Sequence, residues 1–387
     1  MNLVALRMLV GDRARYIGIL IGLTFASLLI TQQGSIFVGL MTRATSFVRD
    51  AQVADIWVMD PSRDSVVEFK NLQSTMPQRV RSVEGVQWAV PMFRSDIPAR
   101  LPDGRLTTIT LVGVDDATLI GLPARIVSGS PLALRNADSV LVDDDELGKK
   151  LGVSLGEGLG KRPLALGDRI EINDRVATIA GTFKVNRQFF FNPNVYTTFS
   201  RAKLYAPRTL RSTSYVLVKV APGQDASVVA QRIRDATGQR VLTSGQWAWQ
   251  NISYVLENTG IGINFGIAVG LGFIVGMVIT GQTFYNFTVD NLRYFGTLKA
   301  MGTGNWTLVR MVVLQALLVG AIGYGLGVGA ATLFGKVTGG GQGQLAFATP
   351  WQLLAITAGA VTFVCLISAL LSVRKVIALE PAVVFKG

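Results

Sequence analysis

Few side chains in this sequence could carry chemistry. It holds no histidine and a single cysteine, Cys365. That removes the Ser–His and Cys–His dyads, every histidine metal site and any disulfide within one chain. Residues 158–162 (GLGKR) look like part of a phosphate-binding loop. The glycine such a loop needs five positions before Gly160 is Leu155, and Arg162 stands where Ser or Thr should follow the lysine. The acidic run 143–146 (DDDE) lacks the spacing and glycine of a calcium loop, and reads as a capped helix start. Asp115 and Asp116 read as a turn. What remains is a surface for contact. Residues 291–302 (NLRYFGTLKAMG) place Leu292, Phe295, Leu298 and Met301 at three-residue steps, with Arg293 and Lys299 between them and Gly302 as a stop. Such a basic amphipathic helix lies at a membrane surface and is there touched by lipid or by another protein.

That helix sits between two long runs without charge. Mean hydropathy is +0.40. Four windows, 17–42, 261–289, 311–335 and 350–373, are uncharged and long enough to cross a bilayer, which takes about 20 apolar residues. The first is too long for a signal peptide and lacks a small-residue cleavage site, so it reads as a retained span.

Net charge is +12. Outside 41–258 there are few acids, and the bases gather at Arg7/Arg13/Arg15, Arg293/Lys299/Arg310 and Arg374/Lys375/Lys386. By the positive-inside rule both termini and the 290–310 segment are cytoplasmic, and the segment between spans one and two is external. The high basicity is thus a topology signal. No basic cluster interleaved with aromatics suggests nucleic acid.

The expected fold is an α-helical membrane protein with four transmembrane helices and an inserted α+β extracytoplasmic domain between helices 1 and 2. The divisions are a cytoplasmic N-terminal helix (1–16), helix 1 (17–42), the external domain (43–258), helix 2 with a stalk (259–289), a cytoplasmic coupling segment (290–306), helix 3 (307–335), an external loop (336–349), helix 4 (350–373) and a cytoplasmic tail (374–387). In the external domain, strands are expected at 54–59, 106–113, 139–142, 168–172, 176–180 and 214–220, with Asn173–Asp174 as a hairpin turn. Helices are expected at 74–83, 143–151 and 225–237, the last ending at Gly238. Trp247, Trp249 and Tyr254 suit an outer membrane interface or a stalk helix. Phe189 to Phe191 read as core or as a partner or lipid contact.

Glycines recur every fourth residue at Gly262, Gly266 and Gly270, at Gly272/Gly276 and at Gly323/Gly327. Small residues at this spacing let membrane helices approach closely. Packing among the four spans is the favoured use, and contact with a second copy is the other. The spans carry no acid or base, which argues against a proton-coupled transporter.

Four passages, in order, resemble the FtsX/MacB-type (type VII) ABC transporter permeases. They are 2–26 (NLVALRMLVGDRARYIGILIGLTFA), the external pair SVLVDDDELGKKLG and LGDRIEINDRVATIAGTF, the stretch YFGTLKAMGTGNWTLVRMVV, and the ending SALLSVRKVIALEPAVVFKG. TLKAMG and DIWVMDP are most similar to the DevC-type permeases; the insertion at 152–163 departs from the family's compact passage. The resemblance implies a homodimeric permease in a bacterial cell inner membrane, with both termini cytoplasmic. It implies a cytoplasmic ABC ATPase subunit carrying ATP and Mg²⁺, with no cofactor on this chain. It adds membrane lipid, a periplasmic adaptor and an outer-membrane duct as partners. Arg293, Phe295, Leu298, Lys299, Met301 and Gly302 would form the coupling helix, with Asn305 capping the helix that follows. Arg374, Lys375, Glu380 and Pro381 would add a second contact, or else a membrane-surface tail. ATP hydrolysis on the partner would move the external domain and drive efflux of a lipid, toxic compound or peptide. Two alternatives stand beside this: a cell-division-type regulator that activates an external enzyme without transport, and a motor-independent membrane-anchored sensor.

Overall fold

The computed structural model describes residues 13–51, 53–156, 160–189, 192–206, 212–339 and 345–377. The chain divides into two units. One is 42–258; the other joins 1–41 to 259–387.

The second of these is helical. Candidate spans lie within α1 (Arg13–Ala44), α7 (Ile261–Asp290), α9 (Asn305–Gly339) and α10 (Trp351–Ile377). Between α7 and α9 runs the short α8 (Leu292–Ala300). Close approach at glycine sets the packing. A Cβ on Gly323 would fall 2.7 Å from the Leu23 Cβ, and one on Gly327 2.5 Å from the Ser27 Cβ. Gly276 meets Ala26, and Gly320 meets Cys365 Sγ. Ser27 Oγ donates to the Tyr324 carbonyl (3.2 Å), and Tyr324 Oη donates to the Leu354 carbonyl (3.2 Å). Among the described residues, the buried polar side chains of the spans are Ser, Thr and Gln.

The unit 42–258 is α+β. Its strands are β1 (Ile56–Met59), β2 (Leu72–Gln73), β3 (Val86–Arg100), β4 (Leu106–Val114), β5 (Arg125–Gly129), β6 (Ser139–Asp143), β7 (Val153–Ser154), β8 (Lys161–Arg162), β9 (Arg169–Ile172), β10 (Arg175–Lys184), β11 (Asn194–Thr198), β12 (Ser212–Thr213), β13 (Tyr215–Val220) and β14 (Arg240–Thr243). The main sheet runs β14-β1-β13-β3-β4-β11-β6-β10-β5, with β9 on β10 and β3. Its spine is β3, whose first half pairs with β13 and whose second half pairs with β4. The helices are α2 (Ser46–Asp50), α3 (Met76–Arg81), α4 (Phe199–Tyr205), α5 (Ala226–Thr237) and α6 (Ser244–Asn258).

Local chemistry accounts for these elements. Asn173 and Asp174 both take positive φ (48° and 62°) in the two-residue turn joining β9 to β10, as a type I′ hairpin requires. Asp225 accepts from the Ser227 and Val228 amides, and Gly238 closes α5 at φ 68°.

The expected helix at 143–151 does not form. Asp143 ends β6 and caps one 3₁₀ turn, Asp144–Glu146. Gly148 follows after Leu147, and glycine costs a helix interior about 1 kcal/mol. The expected interface role of Trp247 also fails. Its side chain is fully buried beside Tyr215, in the cluster that holds Trp57, while Trp249 is 65% exposed. Nor does a continuous stalk form, because Gly260 takes φ 63° between α6 and α7.

Candidate functional site

The geometry of α8 starts from its two ends. Asn291 is buried, and its Nδ2 donates to the Phe287 carbonyl (2.8 Å) at the end of α7. At the other end Gly302 takes φ 92°. Its amide donates to the Lys299 carbonyl (3.0 Å), and the Thr303 amide to that of Leu298 (3.1 Å). Those two bonds are the Schellman pattern, which needs glycine at this position. The next helix starts at Asn305 itself. Gly304 holds the capping position expected of Asn305, its carbonyl accepting from Thr307 and Leu308.

A three-residue step does not keep to one face of an α-helix. At 3.6 residues per turn, the nine residues from Leu292 to Met301 end about 180° away from where they start. Phe295 is fully buried in a cluster with Phe287, Leu308, Met311, Ala369 and Val373, and Leu292 and Leu298 pack partly against it. Phe295 therefore anchors α8 to the bundle and is not available to a partner. Met301 is 70% exposed and Tyr294 63%. Trp306, in the first turn of α9, is 80% exposed. Arg293, Gly302 and Arg310 are exposed, and Lys299 is half-buried. The open side chains of this segment are thus Tyr294, Met301 and Trp306, together with Arg293 and Arg310. Reading the sequence missed Tyr294 and Trp306; the 3.6-residue period, applied to Tyr294, would have found the first.

The glycine groups divide. Gly323 and Gly327 lie against α1, as packing within the chain requires. Among the described residues, a Cβ on Gly266 or Gly270 would find no neighbour within 4 Å. They share α7 with the exposed Ile263, Ile267, Leu271 and Ile274. Gly262 is half-buried. Arg374 is exposed near the end of α10, while Glu380 and Pro381 lie outside the described residues, as do Phe190 and Phe191. The backbone of Lys375 is helical.

Two family models cover this architecture. The MacB-like periplasmic core domain matches residues 17–236, and the FtsX-like permease C-terminal matches residues 266–381. The chain belongs to the FtsX/MacB-type ABC transporter permeases.

The permease is 24% identical over 205 residues to an uncharacterized ABC transporter permease of Methanocaldococcus jannaschii. That match takes in 51% of this chain and 50% of the relative, so the chain spans about half the length of the curated relative it matches. Among solved structures, it is similar to the periplasmic region of MacB from Actinobacillus actinomycetemcomitans, at 15% identity and TM-score 0.37 over 55% of this chain and 96% of that one. It is also similar to the extracellular domain of the ABC-type transporter YknZ from Gram-positive bacteria, at 15% identity and TM-score 0.35 over 49% and 98%. Four apolar helices and the permease family make this a multi-pass membrane protein.

Proposed function

We propose that this permease transmits force from a separate ATP-hydrolysing subunit, docked at α8, to the domain at 42–258, in a homodimer whose work is export. The observation that carries the reading is the surface of α8. Phe295, with Leu292 and Leu298 partly packed beside it, fixes the helix to the bundle, while Tyr294, Met301 and Trp306 stay open, as do Arg293 and Arg310. Aromatic and methionine anchors with an arginine rim are what protein interfaces favour. The asymmetry of the basic residues supports a cytoplasmic setting for α8 and both termini, in a bacterial inner membrane.

The open glycines of α7 support a second copy as the dimer partner. Gly266 and Gly270 are placed for close approach, with Ile263, Ile267 and Leu271 exposed on the same helix. The exported compound is a lipid, toxic compound or peptide. A periplasmic adaptor and an outer-membrane duct fit the DevC-like passages.

The test is purification of the full permease from its native membrane in mild detergent, followed by an ATPase assay of the eluate. Labels on 42–258 are read with and without ATP. The reading expects a co-purifying ATPase and an ATP-dependent change in label spacing. No ATPase and no change would reject it in favour of a motor-independent sensor.

A further inference from the structure

Arg94 stands mid-way along β3 and is only 4% exposed. Among the described residues no carboxylate forms an ion pair with it. Its Nη1 donates to the Val66 carbonyl (2.8 Å), and its guanidinium lies 5.2 Å from the Phe47 ring and 5.6 Å from that of Phe69. Among the described residues its Nε has no acceptor. A buried cation held by one carbonyl and two ring faces is poorly neutralised. Burial pulls the guanidinium below its ordinary value; Asp96 works against this and Arg63 with it.

The hydroxyl and amide donors around Arg94 already have acceptors of their own, Gln188 Nε2 among them, which donates to Asn194 Oδ1 (3.0 Å). Ser46 Oγ donates to the Arg43 carbonyl (2.8 Å), Ser65 Oγ to Asn251 Oδ1 (3.2 Å), and Asn251 Nδ2 to the Trp247 carbonyl (2.8 Å). Beside them lies a cavity of about 30 Å³, lined by Arg43, Phe47, Val66, Val67, Arg94 and Val255 among others. That is room for about two water-sized groups, enough for two oxygens of a larger anion. Arg43 brings a second cation to the same space, from the last turn of α1.

We propose that this cavity binds one phosphate group, between the guanidinium groups of Arg94 and Arg43. The group is the headgroup of an anionic phospholipid or free phosphate. The apolar part of the lining (Phe47, Val66, Val67, Phe189 and Val255), and the attachment of the lining elements to the ends of the first and second spans, favour the lipid.

The test uses the full chain and needs no ATPase, so its failure would leave the coupling reading untouched. Delipidated protein is returned to phosphatidylcholine vesicles with or without phosphatidylglycerol, or titrated in detergent with inorganic phosphate. Hydrogen exchange at the Val66 and Val67 amides and retained phospholipid by native mass spectrometry are the readouts. Protection by phosphatidylglycerol alone assigns the lipid source; protection by inorganic phosphate as well assigns the phosphate group itself. Arg94→Met should weaken binding at least about tenfold, the scale of a lost charge-assisted hydrogen bond. Val67→Trp, which fills the cavity and keeps both arginines, should do the same, so a folding defect in one variant does not decide the matter. Equal retention and exchange in the wild type and Val67→Trp, with no effect of either probe, would overturn the proposal.

Discussion

Phe295 and Met301 are six residues apart in sequence and do opposite things. Phe295 is fully buried, so Phe295→Ala should destabilise the helical unit by about 3–5 kcal/mol, read as a fall in thermal midpoint in detergent. Met301→Ala removes an exposed side chain and should leave that midpoint within about 0.5 kcal/mol of wild type. Charge gives a second prediction at this scale. Burial raises the Asp50 carboxyl to about 6 and the Asp143 carboxyl to about 7. Both folded values exceed the unfolded one, so the folded domain holds more protons and loses stability as pH rises from about 4 to about 7. Asp143→Asn should flatten that fall in a pH series of thermal melts. At this scale the sequence was legible where backbone conformation demands one residue type. Asn173–Asp174, Gly238 and Gly302 sit where positive φ is needed. It was not legible where two identical residue types divide, as Trp247 inside and Trp249 outside, because only tertiary packing separates them.

At the scale of elements, the spans were readable because a charge-free run leaves a helix no other home. The spine of the external sheet was not. β3 contains Pro91 and Pro98 together with Arg94, Ser95 and Asp96, which deny it the alternation expected of a strand. It forms because it has partners on both halves, with Pro91 opposite Val216 and Pro98 opposite Thr108. The same distinction governs the glycines, whose spacing shows close approach without showing to what. Gly327→Leu should disrupt the bundle by overpacking against Ser27, costing about 1–3 kcal/mol or more. At Gly266 a Cβ has no neighbour within 4 Å among the described residues, so Gly266→Leu should spare the monomer's midpoint and weaken self-association, read by cross-linking in membranes. Equal self-association in the variant would remove α7 from the proposed dimer contact.

Across the whole molecule, a membrane unit with open apolar helices carries a domain whose clusters are closed by strand pairing. Family membership was legible because its passages are spread over both ends and the middle of the chain, where their order adds to what each holds alone. The exported compound is not written in the same way. Neither a buried charge in the spans nor a metal-holding cluster occurs among the described residues to specify a cargo. What decides the function is whether α8 receives a motor through its open face. The most direct measurement is co-purification of the ATPase activity with Met301→Asp in place of wild type, with membrane insertion and thermal midpoint checked in parallel. Docking at α8 requires normal insertion, an unchanged midpoint and loss of the bound ATPase. Undiminished ATPase binding by the inserted, folded Met301→Asp chain would contradict it.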